Sequence, residues 1–218
     1  MKNEYIHSIS LAITTLAVGL FAGCGTTSGY KQADKTGEGI ADFREEILNG
    51  KKAVDATVKS LGDVAASATT NPRKAFEAYT KSVANLESTA AKVTKRSKDM
   101  QEQGKAYFAQ WEKQLAEVSN PEIKKLAAGR KAKLQETFAS IKTAAEPLKA
   151  QYAPWMADLK DLQKYLSNDL TIAGVDAAKG LFAKTRAHGA EVQKSMDTLV
   201  AELNTVAATL TAAVEPKK

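Results

Sequence analysis

The sequence predicts an all-α protein, an elongated antiparallel helical bundle or coiled coil of three long helices plus one shorter N-terminal helix. Three observations carry this. Alanine supplies 38 of the 218 residues, aromatic residues only 6%, and the five prolines are widely separated, a composition that favours helix over a sandwich or barrel. From Thr36 onward the apolar residues recur at a three-four spacing, the period of a helix face and close to a heptad. The interruptions in that pattern carry stop and start signals, Asn71-Pro72, Asn120-Pro121 and Ser167-Asn168-Asp169.

The first 23 residues read as a lipoprotein signal peptide. Residues Ser8 to Gly23 are largely apolar behind a start that carries Lys2 but also Glu4. The stretch is shorter than the roughly 20 apolar residues of a spanning helix, and Ser10, Thr14, Thr15 and Gly19 dilute it. It ends in Leu20-Phe21-Ala22-Gly23-Cys24, which resembles the lipobox of bacterial lipoproteins, with Phe21 where Leu is commoner. That resemblance implies lipidation of Cys24, the only cysteine in the chain. A single cysteine allows no disulfide within the chain and no four-cysteine metal site. The expected mature chain, Cys24 to Lys218, is then held at a membrane by its N-terminal lipid. With Gly25 rather than Asp after the cysteine, the lipoprotein sorting rule implies the outer membrane, facing the periplasm, in a host with two membranes. Residues 24–35, rich in Gly, Ser and Thr, read as a flexible tether.

The body, residues 36–215, divides into helices at about 36–67, 72–118, 121–167 and 171–214. The first carries Ile40, Ile47, Val54 and Leu61 seven apart. The second carries Phe76, Val83, Ala90, Ser97, Gly104, Trp111 and Val118 on one row, and Tyr79, Leu86, Val93, Met100 and Tyr107 on the next. Ser97 and Gly104 are weak seam residues that imply either a close helix crossing or a loose, adaptable middle. The third runs from Leu134 to Leu166 across Pro147 and Pro154, which share a face opposite the seam; a bend or short break is expected there, without chain reversal. The fourth carries Phe182, Gly189, Met196, Leu203 and Leu210.

Tyr107-Phe108-Ala109-Gln110-Trp111, Leu134-Gln135-Glu136-Thr137, Ala153-Pro154-Trp155 and Tyr165-Leu166-Ser167-Asn168-Asp169-Leu170 resemble, in that order, elements of a bacterial family called domain of unknown function 2959. The resemblance covers about residues 72 to 204. Ala153 stands where the family commonly has an acidic residue, and Ser167 where it commonly has His. The family implies long helices, often behind a lipoprotein signal, and brings no activity.

No phosphate loop, serine-hydrolase elbow or His-Glu-x-x-His motif occurs, and after the signal segment His188 is the one histidine. No catalytic residue, cofactor or metal site is expected, and a lone helical His reads as a solvated side chain. Trp111 and Trp155 offer flat faces for a sugar or lipid, but their seam positions favour core packing. The net charge is +6, with basic clusters at Lys92, Lys95, Arg96 and Lys98 and at Lys124, Lys125, Arg130, Lys131 and Lys133. Lysine dominates, no aromatic-basic motif accompanies it, and nucleic acid is not an expected partner. A solvated lysine face is the simplest reading; the alternative is a face for an anionic ligand. Lys218 offers a terminal amine for attachment to peptidoglycan, against the simpler reading of a frayed tail.

The function expected is therefore that of a non-enzymatic, lipid-anchored cell-envelope protein, a structural spacer or a bundle that docks another envelope protein. Homo-oligomerisation through leftover seam is a further expectation. The alternative is a module that binds anionic lipid, lipopolysaccharide or cell-wall polysaccharide through its basic helix faces.

Overall fold

The computed structural model describes residues 29–67 and 71–211. Within them every regular element is a helix: α1 (Gly29–Ala66), α2 (Arg73–Glu117), α3 (Pro121–Asn168), α4 (Ile172–Ala177) and α5 (Lys179–Thr211). The chain is all-α, as its composition and period predict. The signal segment, Cys24 and the terminal Lys218 lie outside the described residues.

Local chemistry sets most boundaries. Asn120 caps α3, its side-chain oxygen accepting from the backbone N–H of Glu122 (2.9 Å) and Ile123 (3.3 Å), with Pro121 at the first position where it sacrifices no bond. Asn71 accepts from the N–H of Arg73 at 3.0 Å beside Pro72. Thr171 caps α4 through Gly174 at 3.0 Å. Pro147 and Pro154 both sit inside α3 on exposed positions, and the helix continues through them without the break that was one expectation. The residues whose carbonyls lose a helical donor, Thr143 and Ala150, are exposed to solvent while the opposite face stays packed.

Two expected boundaries are corrected. Residues 29–35, read as part of the tether, are the first two turns of α1, because Ala33 packs on the core and Thr36 is buried, its hydroxyl donating to Gln32 O at 2.8 Å and reaching Gln103 O at 3.5 Å. The N-terminal helix is therefore 38 residues, longer than the 33-residue α5. The expected fourth helix is two helices meeting at Ala178, whose N–H bonds to Gly174 O and Val175 O. Gly174 and Gly180 weaken helical preference there, and burial of Val175, Ala178 and Phe182 decides the winding.

Paired contacts fix how the helices run. Thr36 meets Gln103 while Thr57 meets Ser82, so α1 and α2 are antiparallel. Lys160 pairs with Glu87 and Lys131 with Glu112, so α2 and α3 are antiparallel too. Trp155 meets Thr185 and Ser195 meets Gln151 between α3 and α5, and Lys51 meets Asp197 between α1 and α5. The interior is the predicted seam: Ile40, Ile47, Val54 and Leu61 from α1, Tyr79, Val83 and Leu86 from α2, Trp155, Leu159 and Leu166 from α3, and Phe182, Val192, Leu199 and Leu203 from α5.

Several buried polar groups find partners within the bundle, while Arg44 Nε, Thr80 Oγ1 and Gln103 Oε1 are buried without one among the described residues. Tyr79 donates to Leu159 O at 2.6 Å, and Thr57 and Ser60 return to their own helix while Ser60 and Ser82 lie 2.6 Å apart.

Candidate functional site

The two basic clusters are not one face. Lys131 pairs with Glu112 at 2.7 Å, which sets the second cluster level with the end of α2, sixteen residues or about 24 Å along that helix from Arg96. In the first cluster Arg96 is held by Asp42 at 3.3 Å and Asp99 at 3.9 Å, and Lys98 borders a cavity midway along the body. Lys92 and Lys95 are exposed. In the second, Lys124, Lys125 and Lys133 are exposed, Lys131 is half-buried by its ion pair, and an Arg130 amine lies 3.5 Å from Thr209 O.

At that same end four helix ends converge. A cavity of about 430 Å³ lies between the start of α1 (Tyr30, Ala33), the end of α2 (Tyr107, Trp111), the start of α3 (Ala127, Arg130) and the end of α5 (Leu210). Tyr107 and Trp111 in its wall meet edge to face at 5.6 Å, and Phe108 and Phe138 do the same at 5.3 Å against the core. Burial pushes the Tyr107 hydroxyl pKa up, and the nearby Arg130 charge pulls it part-way back. Trp111 is thus half-buried at a cavity, whereas Trp155 is core, fully enclosed with its indole N–H on Thr185 O at 2.8 Å. Just beyond the cavity the α2–α3 turn leaves Ile123 53% and Leu126 75% exposed.

The mid-body cavity, about 130 Å³, is lined by Phe43, Gly50, Val93, Ser97, Leu148 and Met196 among others. It resolves the two readings of the weak seam residues in α2. Ser97 lines the cavity, the loose middle, while Gly104 is a close crossing where an added Cβ would lie 3.3 Å from Phe138. Tyr152 lines the same cavity, its hydroxyl pKa raised by burial and further by the Glu87 charge. His188 lies on the surface with Nδ1 3.3 Å from Asp158. Among the described residues, no group of three His, Cys, Asp or Glu side chains is placed to hold a metal, and no helix is long and apolar enough to cross a membrane.

The family model described as Protein of unknown function (DUF2959) matches residues 25–210. The chain belongs to this family. No curated protein and no solved structure matches it. The match runs beyond the stretch of residues 72 to 204 on which the resemblance was read, and takes in all of α1 and α5 up to residue 210.

In this DUF2959 chain the residues that carried the resemblance are places where helices lock. Tyr107 and Trp111 line the end cavity, Phe108 packs against Tyr107, Trp155 ties α3 to α5, and the Tyr165 hydroxyl donates to Gly174 O at 3.0 Å, fastening α4 to α3. The exposed pair Ile123 and Leu126 is what sequence reasoning missed. A signal was present: both precede Leu134, the first seam residue identified in α3, and Leu126 is eight positions before it, about 80° round the helix. The end cavity had no comparable signal, because its volume depends on four helix ends meeting.

Proposed function

We propose that this protein is a non-enzymatic, lipid-anchored component of the bacterial cell envelope, whose body is an elongated antiparallel bundle with coiled-coil-like seams that acts as a spacer or docking scaffold. The observation that supports it most is the distance in sequence between Cys24 and the body. Only four residues separate Cys24 from Gly29, where α1 begins, so a lipid on that cysteine holds the body close to the bilayer rather than on a long leash. The helices suit a spacer. At 1.5 Å per residue the 45 residues of α2 extend about 68 Å. Their contacts are packed side chains, and cross-helix ion pairs such as Arg96–Asp42 secure register.

Triacylation supplies more than the single chain that gives only marginal membrane binding. Fractionation tests the reading: the full chain expressed in a bacterium sediments with membranes and resists salt, and Cys24→Ala releases the anchored population. Equal partition of the two forms would contradict a lipid anchor.

A further inference from the structure

We infer that the α2–α3 end of the body is a contact surface for an anionic lipid bilayer, with Ile123 and Leu126 entering the headgroup boundary and Lys124 and Lys125 facing lipid phosphates.

Four observations converge on that end. Ile123 and Leu126, 53% and 75% exposed, lie three apart in the opening turns of α3, hence side by side on its surface. Lys124 and Lys125 lie between them, and from 121 to 134 the single acidic residue Glu122 is outnumbered by Lys124, Lys125, Arg130, Lys131 and Lys133. Apolar side chains flanked by lysines are the composition of a segment that lies in a membrane interface. Tyr30, 67% exposed at the start of α1, adds an amphipathic ring at the same end.

The fourth observation is where the chain enters. Gly29 packs against Gln114, so α1 starts level with the last turns of α2, and the turn at 118–120 lies only about 6–9 Å further along the axis. The five steps from Cys24 to Gly29 span at most about 18 Å. That span exceeds the axial offset, so a lipid on Cys24 can reach the plane of Ile123 and Leu126. Anchor and contact surface would share one end, and the body would stand away from the bilayer. The inference takes its direction of approach from the lipid-anchor reading, but the surface has its own chemistry and is tested separately.

The test places an environment-sensitive fluorophore on Leu126→Cys in the full-length chain, with Asp161→Cys marking the far end of α3. Intact mass first shows whether Cys24 is lipid-modified; an unmodified protein is labelled in the Cys24→Ala background. Vesicles of phosphatidylglycerol or phosphatidylcholine carry a nitroxide lipid as quencher. Quenching at 126 and not at 161 is expected, stronger on phosphatidylglycerol. Each lysine near an anionic surface strengthens binding about fivefold, so Lys124→Glu with Lys125→Glu should raise the anionic lipid needed for half-quenching at least about tenfold. Ile123→Ser, on an exposed site, should weaken quenching on both vesicle types.

A solvated label at 126 on vesicle-bound protein, or quenching indifferent to lipid charge and to charge reversal, would overturn the inference. So would shielding of the label without vesicles that grows with protein concentration, which assigns the surface to a second copy of the chain. Quenching at 126 in a protein without lipid on Cys24 would sustain the contact surface and remove the anchor. A lipidated protein with a solvated 126 would do the reverse.

Discussion

Gly189 is the position where the packing makes its sharpest demand. A Cβ added there would stand 2.5 Å from Val58 Cγ2 and 3.1 and 3.3 Å from Trp155 Cζ2 and Cε2. Neither neighbour can yield easily. The indole is fully buried and pinned by its bond to Thr185 O, and a helical valine has essentially one χ1 rotamer. Forcing a methyl into such a site costs about 1–3 kcal/mol, while Gly→Ala in a helix returns about 1 kcal/mol of intrinsic preference. Gly189→Ala should therefore destabilise by about 1 kcal/mol, a fall in melting temperature of about 2–4 °C for a chain of this size. Gly129 in α3 has nothing within 4 Å of its Cβ position, so Gly129→Ala gains the preference alone and should raise the melting temperature. The difference between the two variants cancels helix preference and isolates the packing cost. Val58→Ala should recover part of the loss in Gly189→Ala by removing the nearer methyl. Thermal unfolding followed by circular dichroism at 222 nm measures all four proteins. Equal shifts for Gly189→Ala and Gly129→Ala would refute the close approach of α1, α3 and α5 at this point.

Tyr79→Phe removes the hydroxyl bond to Leu159 O and should cost about 1 kcal/mol in urea unfolding, with an unchanged denaturant slope. Burial pushes the Tyr79 pKa above its ordinary value, so above about pH 10 the unfolded state loses its proton first and stability falls as pH rises. At pH 11 that loss is on the order of 1 kcal/mol for this residue, and Tyr79→Phe should show a shallower alkaline slope than wild type. Ser97→Leu fills part of the mid-body cavity and should stabilise by about 1 kcal/mol, whereas a loss would mean that the cavity walls do not admit three more carbons. In Trp155→Phe the remaining Trp111 emission should be red-shifted and open to acrylamide, while in Trp111→Phe the buried Trp155 should be blue-shifted and protected.

Much of the fold was legible because burial repeats with the helix period. Phe182, Gly189, Met196, Leu203 and Leu210 were read as one row and all are buried, and Pro147 and Pro154 were read onto the outer face, where they lie. Residues 29–35 were not legible as helix. Their composition is that of a linker, and their helical state comes from packing on the ends of α2 and α3, which lie far away in sequence. Gly189 and Gly104 show the same limit from the other side. A glycine on a seam is compatible with a tight crossing or with loose packing, and only the facing residue, Trp155 or Phe138, decides. The two basic clusters were visible in the sequence, but only the helix register showed that they lie about 24 Å apart along the body. Ile123 and Leu126 were hidden because apolar residues at helix starts are usually covered, whereas these two are 53% and 75% exposed.

The central claim is that Cys24 is the anchoring residue, and intact mass of the mature protein purified from bacterial membranes tests it most directly. The account predicts a chain that begins at Cys24 and carries the added mass of a diacylglyceryl thioether and an amino-terminal acyl group, absent from Cys24→Ala. A membrane-bound protein that retains residues 1–23 with an unmodified Cys24 would contradict it.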